Sequence, residues 1–484
     1  MGTKQLKMDL YRRLGDQQSR MLAEIAKIPQ QIGIPSELKG KMGLSGTISG
    51  TPGPRRKDIR EACEKAAREV PRLPTLVEEL RRLVKEGYGD EYDAVACSTC
   101  EAALWIVFDT LCCPPMGKGD AYQSFYIAPY ERHLHHHGAY GRPFPPKYKD
   151  IFADHGVTAG EMGMLGKRQC NLSTVIVPLV GAKYDCHGIK YYPCPLMMHV
   201  DPQKSYERIA KVAARHALSL TAITSLGYDT PGYGYGDKDE DGTPKIQKLH
   251  AQIAREYNIP YIVDNAAGVP FVGTDIRKIG ADIMMYSADK RIGAPIGGLI
   301  IGKEEIIVPL QRALGMHSSR SGTPAYGKAA YVGCDPGLES LAGLIVALKA
   351  LKERPEVVTN AADATYNIVL EEIKYLDPEV SKGFIVTKSY DVPGVEINYE
   401  NSWSEERTGF PIFSVEDLYA GTDMLIRSQQ VMGIIACVTY DGNIRITPGQ
   451  GTTDDDGELI EDRMRWCVRA LFKAMEVIWR FWLG

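Results

Sequence analysis

The chain has 484 residues, 44% of them hydrophobic, and a formal net charge of −4, which suits one large α/β domain with a smaller domain attached. No long basic run, no stretch of about 18 uncharged apolar residues and no cleavable signal stands out, so we expect neither a nucleic-acid partner nor a membrane span. The 11 cysteines, many within apolar runs, fit buried thiols in a reducing cytoplasm better than a disulfide framework.

Apolar residues recur at helical spacing near the N-terminus, from Leu6 to Ile28, and predict a helix over residues 4–30. A glycine-rich loop follows and extends to residue 57. A long loop inside a compact domain is usually functional, so we treat residues 1–57 as a segment of their own.

The stretch DAVACSTCEAALW predicts a strand that ends at Cys97 and a helix that starts at Glu101, with Ser98, Thr99 and Cys100 between them. Free backbone N–H groups and the positive end of the helix dipole point outward at such a helix start. The turn at residues 98–100 is therefore a candidate phosphate site.

The cysteines of this stretch allow a second interpretation. Cys97 and Cys100 have the spacing of a redox motif or of half a zinc site, with Cys112 and Cys113 as the other half. Adjacent cysteines do not reproduce the usual paired spacing of a zinc site, so we rank this interpretation below phosphate binding.

Two further clusters invite a metal interpretation. Consecutive histidines at 135–137 point in different directions on any regular backbone, which argues against a shared metal. The acidic turn from Asp237 to Asp241 imitates the opening of a calcium-binding loop, but Lys248 occupies the position where that loop needs a glutamate. We therefore expect no metal site.

Three short apolar runs within residues 261–302, YIV, DIMMYS and GGLIIG, predict strands that are covered on both faces. Asp264 ends the first run, and Lys290 follows the second, 26 positions later (290 minus 264). Two opposite charges would then lie at one edge of a sheet. Because removing an ion from water is costly without a partner, this pair needs an explanation.

Pyridoxal phosphate supplies one, because its aldehyde forms a Schiff base with a lysine and its protonated ring nitrogen requires a carboxylate. Lys290 and Asp264 would take these two roles. Ala266, on the same side of the chain as Asp264, would let the ring lie flat against the backbone. An ordinary aspartate at a strand end and a surface lysine remain the alternative at this point.

The sequence VDNAAG, followed by YSADKRIGAPIGGLIIG, resembles the core of the fold-type I pyridoxal-phosphate enzymes, the aspartate aminotransferase superfamily. The likeness is greatest to the class V, cysteine-desulfurase-like branch and to the group of bacterial selenocysteine synthase and aminosugar ammonia-lyase. It implies an α/β fold with a mostly parallel seven-stranded sheet flanked by helices. It also implies a segment at 1–57 that covers the active site, a large cofactor-binding domain at 58–353 and a small α+β domain at 354–484.

The resemblance also assigns cofactor contacts. It places the phosphate at Ser98, Thr99 and Cys100, although the family often has threonine at the last of these positions. His133, with His136 as the next choice, would stack on the ring.

Two serines complete the implied cofactor set. Ser225, or alternatively Tyr228, would bond the ring oxygen. Ser287, at the end of the strand before Lys290, would also contact the cofactor.

Two later motifs extend the resemblance. The run from Arg320 to Thr323 matches one in cysteine desulfurases, where the threonine reaches the cofactor phosphate of the neighbouring subunit. It implies a homodimer or a higher homo-oligomer with shared active sites. Arg445 matches the arginine that grips the substrate carboxylate through two parallel hydrogen bonds; the alternative is an edge-strand arginine in a surface pair.

The function implied is a lyase or an elimination/replacement enzyme that acts on an amino acid or a derivative of one. An aminotransferase is the first alternative, followed by a decarboxylase or an aldolase. A desulfurase needs a mobile cysteine after Lys290, and Cys334 is the only candidate nearby. A non-catalytic scaffold that kept the fold is the hypothesis from a different class.

Overall fold

The computed structural model describes residues 7–44, 53–112, 125–130, 190–195, 202–227, 237–314, 334, 336–389, 393–404, 406–413, 423–440, 442–449 and 451–484. Among the described helices, none is both long and apolar enough to cross a lipid bilayer.

The α-helices, in chain order, are α1 (Lys7–Asp16), α2 (Gln18–Ile25), α3 (Ile28–Gln31), α4 (Lys57–Glu69), α5 (Leu73–Tyr88), α6 (Cys100–Cys112), α7 (Pro202–Arg215), α8 (Lys245–Tyr257), α9 (Ile276–Ile279), α10 (Glu304–Ala313), α11 (Leu338–Glu353), α12 (Pro355–Glu372), α13 (Pro378–Ser381), α14 (Met424–Met432) and α15 (Glu461–Leu483). Short 3₁₀ turns lie at Ser36–Leu38, Ile373–Tyr375 and Glu400–Ser402.

The strands are β1 (Tyr92–Cys97), β2 (Phe125–Tyr130), β3 (Lys190–Pro195), β4 (Leu220–Leu226), β5 (Tyr261–Asp264), β6 (Ile283–Ser287), β7 (Gly298–Lys303), β8 (Ile385–Ser389), β9 (Gly394–Asn398), β10 (Val438–Tyr440) and β11 (Asn443–Ile446).

The described residues divide into two units. The large unit comprises the described parts of residues 56–141 and 177–355, and the small unit those of residues 1–55 and 356–484. The domain boundaries expected from the sequence remain a prediction.

The large unit contains a sheet of seven described strands in the order β1-β7-β6-β5-β4-β2-β3. Strand β7 pairs antiparallel with both β1 and β6, and the other pairs are parallel. Six strands therefore share one direction. This mixed α/β sheet confirms the expected fold class, and strands β5, β6 and β7 lie where the three apolar runs predicted them.

Helices cover both faces of this large sheet. On one face, apolar residues of α6 and α10 pack against β1, β6 and β7 in one buried cluster that includes Phe108, Met285 and Ile307. On the other face, α8 packs against β4 and β5. Because both faces are covered, the strands carry continuous apolar runs instead of alternating apolar and polar residues.

The acidic turn before α8 is balanced by lysines. Asp237 pairs with Lys245 at 3.0 Å, and Asp239 forms an ion pair with Lys248. Both lysines belong to α8, so the helix itself neutralises these two carboxylates.

The small unit is built on a four-stranded antiparallel sheet, in the order β10-β11-β9-β8 among the described strands. Helix α15 crosses its core, and Trp482 at its end is fully buried. The N-terminal helices pack here too: the rings of Tyr11 and Trp482 lie 4.7 Å apart, and the Tyr11 hydroxyl donates a hydrogen bond to the Ile412 carbonyl at 2.9 Å.

The N-terminal segment differs in one respect from the single helix expected over residues 4–30. Its described part forms three helices, α1, α2 and α3, with breaks near Gln17 and Lys27. Pro29 lies in the first turn of α3. Proline has no amide hydrogen to donate to a preceding turn, so it is tolerated at a helix start but not in a helix interior.

A buried histidine lies beneath the large sheet, on the face that α8 covers. His250 is fully buried, its ring meets that of Tyr261 edge-on at 5.8 Å, and neither ring nitrogen has a hydrogen-bond partner within the described residues. Burial without a partner lowers the pKa of His250 to about 3. The ring is therefore neutral at physiological pH.

Replacing His250 with leucine should reduce the acid sensitivity of the fold. The folded-state pKa of about 3 lies below the ordinary value of 6.5, so the unfolded chain binds the proton more readily between these values. The free energy of unfolding should therefore fall as the pH drops below 6.5, by about 2 kcal/mol at pH 5 from this group alone. Urea unfolding at pH 7.5 and pH 5 should show a drop that is about 2 kcal/mol smaller in His250→Leu than in wild type.

The control is His216→Leu, at a half-buried histidine just after α7. This variant should keep the wild-type drop. If the free energy of unfolding of His250→Leu fell between pH 7.5 and pH 5 by as much as that of wild type, the low pKa assigned to His250 would be wrong.

Candidate active site at the carboxyl edge of the large sheet

Four strands of the large sheet end at the same edge. Strands β1, β4, β5 and β6 share one direction, and β7 starts at the edge where they end. The register aligns Cys97, Gly298 and Ser287 in one row across β1, β7 and β6. The turn that follows β1 and the turn that carries Lys290 are therefore brought to one place.

The first of these turns starts α6. The hydroxyl oxygen of Thr99 accepts a hydrogen bond from the Ala102 amide at 2.9 Å, which makes Thr99 the N-cap of the helix. The Ser98 amide donates to the Cys334 carbonyl at 2.7 Å. The amides of Cys100 and Glu101 precede any intrahelical acceptor, so they are the groups that face an anion at this helix start.

Asp264 ends β5 and is fully buried. Its Oδ1 accepts a hydrogen bond from the Ala266 amide at 3.0 Å. Burial raises the pKa of Asp264 to about 6, and the positive charge of Lys290 opposes that rise. The two side chains are thus close enough to interact electrostatically.

Lys290 is half-buried in the turn after β6. The backbone holds this turn: the Gly293 amide donates to the Lys290 carbonyl at 3.0 Å, and the Ala294 amide to the Ala288 carbonyl at 2.9 Å. The lysine therefore extends from a closed loop at the sheet edge.

The thiol of Cys100 lies close enough to Asp264 and Lys290 to be affected by their charges. Burial raises its pKa well above the ordinary value, the negative charge of Asp264 adds to that rise, and Lys290 opposes it. Cys100 is therefore a neutral thiol at physiological pH, and it offers a weak hydrogen-bond donor in place of the hydroxyl of a threonine.

The structure adds a residue that the sequence analysis did not select. Asp289, which is 2% exposed, accepts a hydrogen bond from the Ser287 hydroxyl at 2.7 Å. Its charge also acts on the Cys100 thiol. A buried acid directly before Lys290 was visible in the sequence, but nothing in the local pattern showed that its side chain would turn inward.

Ser225 is not brought together with this group. In the register of β4 and β5, Leu226 pairs with Asp264 and Ser225 with Val263, so Ser225 lies on the opposite face of the sheet from Asp264. Its hydroxyl lies 2.6 Å from that of Tyr261.

Other expected site residues cannot be placed beside Lys290. His133, His136, Tyr228 and Thr323 lie outside the described residues. Arg445 is in β11 of the small unit, fully buried, and its guanidinium contacts the Glu396 carboxylate at 2.5 Å. It is not the exposed edge-strand arginine of the alternative interpretation.

Comparisons with known proteins agree with this architecture. The family model "Aminotransferase class-V" matches residues 239–322, which include Asp264 and Lys290. An L-seryl-tRNA(Sec) selenium transferase of Mannheimia succiniciproducens is 35% identical over 71 residues, which span 12% of this chain and 15% of that protein.

Two solved structures resemble most of the chain. A complex of SepCysS with the N-terminal domain of SepCysE matches 93% of this chain and 99% of its own, with a TM-score of 0.52 at 12% identity. A taurine:2-oxoglutarate aminotransferase of Bifidobacterium kashiwanohense, in complex with PLP and glutamate, matches 89% of this chain and 87% of its own, with a TM-score of 0.50 at 9% identity.

The fold is that of the fold-type I pyridoxal-phosphate enzymes. The residues at the sheet edge fit the cofactor of that fold. A buried carboxylate whose pKa is raised by burial needs a cationic neighbour, which a protonated ring nitrogen supplies. Ala266 has only a methyl group as its side chain, Lys290 is half-buried at the same edge, and a helix start presents amides for a phosphate.

Gly298, the first residue of β7, allows this strand to approach the turn that starts α6. Replacing Gly298 should therefore lower the stability of the protein and weaken cofactor binding. A Cβ atom added at Gly298 would lie 2.3 Å from the Thr99 carbonyl oxygen, which is backbone and cannot rotate away. We expect Gly298→Ala to lower the free energy of unfolding by about 1–3 kcal/mol. Urea denaturation measures this, and fluorescence titration with pyridoxal phosphate should show weaker binding.

The neighbouring glycine is the matched control. A Cβ at Gly297 would meet nothing closer than 3.4 Å. Gly297→Ala should leave both quantities near wild type, and equal losses in the two variants would argue against a close approach specific to Gly298.

Asp264→Asn should stabilise the cofactor-free protein in a pH-dependent way. The folded pKa of about 6 exceeds the ordinary value of 3.8, so the folded chain holds the proton more tightly and loses stability as the pH rises through this window. The gain in unfolding free energy from Asp264→Asn should therefore be about 2 kcal/mol larger at pH 8 than at pH 4.5. Chemical denaturation at the two pH values measures it.

Asp275→Asn is a control of opposite sign. The side chain of Asp275 caps α9 and pairs with Arg277, and the pKa of Asp275 is lowered. This variant should lose stability at high pH, and a gain there would show that the method does not resolve single carboxylates.

Proposed function

We propose that the chain is a pyridoxal-phosphate-dependent lyase or elimination/replacement enzyme that acts on an amino acid or a derivative of one. The observation that carries this proposal is the interaction of buried Asp264 with half-buried Lys290 at the sheet edge. The selenium transferase that matches a part of the chain supports a replacement reaction.

The described residues would divide the work as follows. Asp264, ionised opposite a cationic ring nitrogen, would hold that nitrogen in its protonated form. The amides at the start of α6, with Ser98, Thr99 and Cys100, would bind the phosphate. Ala266 would lie against the ring, and Ser287, held by Asp289, would lie beside it.

Bound pyridoxal phosphate supplies an electron sink for a bond that is broken at the substrate Cα. Lys290 would be its attachment point. The Lys290 amine, which its turn holds at the same sheet edge as Asp264, would take or return a proton at the substrate Cα.

Further parts of the proposal come from the resemblance alone. His133 would stack on the ring, Thr323 would reach the phosphate of a neighbouring subunit, and Arg445 would orient the substrate. This arrangement requires at least a homodimer, which sedimentation analysis measures directly. We expect a cytoplasmic enzyme.

An aminotransferase is the second candidate, favoured by the description of the matching family model. The purified protein, incubated with candidate amino acids with and without a 2-oxo acid, separates the two. Turnover without the acceptor supports a lyase, and turnover that depends on the acceptor overturns it in favour of transamination.

Lys290→Ala tests whether the cofactor is bound covalently. Wild-type protein supplied with pyridoxal phosphate should show a yellow visible band that borohydride bleaches, with the label fixed to the peptide that contains Lys290. In Lys290→Ala the band and the covalent label should both disappear, because Lys290 provides the amine that bonds the aldehyde.

The matched control is Lys278→Ala, at an exposed lysine of α9 that pairs with Asp241 at 3.8 Å. This variant should keep both signals. A colourless wild type that takes up no added cofactor would instead favour a non-catalytic scaffold.

A further inference from the structure

Asn265 directly follows Asp264, and its side chain lies on the opposite face of the large sheet. Successive side chains of a strand point to opposite faces. Asp264 pairs in register with Met285, which belongs to the apolar cluster under α6, whereas the Asn265 side chain contacts Met284 on the other face. Asn265 is fully buried there. The sequence analysis did not select this residue, which lies directly behind the Asp264 carboxylate.

Two buried side chains of β6 hold the side-chain amide of Asn265. Its Nδ2 donates a hydrogen bond to the sulfur of Met284 at 3.2 Å, and the amide also bonds the hydroxyl of Tyr286. The Tyr286 hydroxyl donates to the same sulfur at 2.8 Å and contacts the hydroxyl of Tyr88 in α5. Side-chain contacts therefore link Asn265 to a strand and to a helix of the large unit.

Two glycines make room for the same amide. A Cβ atom added at Gly227 would lie 2.5 Å from Cγ of Asn265, and one added at Gly268 would lie 2.2 Å from both Nδ2 and Oδ1. Either methyl group would have to displace the amide. The side chain of Asn265 therefore fills a space between two close segments of backbone.

The backbone at this point is bonded from both neighbouring strands. The Asn265 amide donates to the Met285 carbonyl at 2.8 Å, and the Asp264 carbonyl accepts a hydrogen bond from the Gly227 amide at 2.8 Å. Together with the enclosed side chain of Asn265, these bonds fix the peptide that joins the two residues. The direction in which the Asp264 side chain leaves the sheet is fixed with it.

Stability alone does not favour an asparagine here. Oδ1 of Asn265 is buried and has no hydrogen-bond partner within the part of the chain that the structure describes. A buried polar atom without a partner costs about 1–3 kcal/mol. The sulfur of Met284 is also a weak acceptor for the Nδ2 group. A small apolar side chain would avoid these costs, so another role explains the amide better.

We infer that Asn265 is a positioning residue: its side chain, enclosed behind the sheet, keeps the Asp264 carboxylate directed at the ring nitrogen of the cofactor. This inference rests on the proposed function and adds a residue to it. A carboxylate that could turn would stay buried but would lie farther from the positive charge, and the attraction between two charges falls with distance. Loss of the Asn265 amide should therefore weaken cofactor binding through Asp264.

The test is a double-mutant cycle on the affinity for pyridoxal phosphate, with Asn265→Ala and Asp264→Asn made singly and together. Asn265→Ala alone should weaken binding about tenfold. In the Asp264→Asn background the same change should weaken binding about twofold or less, because the charge that Asn265 positions is gone. Titrations that follow the visible absorption of the bound cofactor measure all four proteins. Asn265→Ala should also shift this absorption in the same direction as Asp264→Asn.

Two further variants separate positioning from folding. Gln429→Ala removes another fully buried side-chain amide, which donates to the Leu425 carbonyl at 3.1 Å in the small unit. It should lower the free energy of unfolding and keep the wild-type affinity for the cofactor. If Asn265→Ala does not fold, Met284→Leu replaces it, because this change removes the sulfur acceptor and nearly keeps the side-chain volume. Met284→Leu should weaken binding about threefold in wild type and leave it unchanged in Asp264→Asn.

The outcomes distinguish the two proposals. Protein that takes up no pyridoxal phosphate overturns the proposed function and this inference with it. Protein that takes up the cofactor equally well with and without the Asn265 amide overturns the inference alone. The same holds for a loss of affinity that is equal in the wild-type and Asp264→Asn backgrounds, since a merely structural role predicts additive effects.

Discussion

The candidate site is organised around a carboxylate that the fold holds away from water. Asp264 is fully buried at the end of β5, and its pKa is raised because burial disfavours its charge. Such a group is stable as an anion only beside positive charge. Lys290 provides part of that charge, and the shared direction of the strands provides the proximity: β5 and β6 run in parallel, so the residues that follow them meet at one edge.

The same edge explains why β7 runs against its neighbours. An antiparallel strand between β1 and β6 begins where they end, so Gly298 lies between Cys97 and Ser287. The start of α6 and the lysine turn are then separated by a single strand. Any side chain at Gly298 would enter the space that the Thr99 carbonyl occupies. This close approach brings the start of α6 near the turn that carries Lys290, although the two are far apart in the sequence.

Sequence patterns identified the parts of the site that depend on local signals. Short apolar runs ending in Asp264 and preceding Lys290 marked strand ends, and small residues before an apolar helix marked the start of α6. The face of the sheet on which Ser225 lies was not predicted, because it depends on the register of β4 against β5. Ser225 pairs with Val263, so its side chain points away from the face that carries Asp264. The sequence did not reveal the partner of Arg445 either. Glu396 is 49 positions away and meets Arg445 only because of the register between β9 and β11.

The small unit brings opposite ends of the described chain into one apolar core. Tyr11 packs on Trp482, and the Tyr11 hydroxyl bonds the carbonyl of Ile412, 401 positions away in the chain. The N-terminal helices pack on α14 and α15, so they lack that surface until nearly the whole described chain has emerged from the ribosome. Their apolar faces are then exposed for most of translation, a condition that favours aggregation or capture by chaperones. The large unit, whose described strands and helices lie between these ends, can assemble earlier.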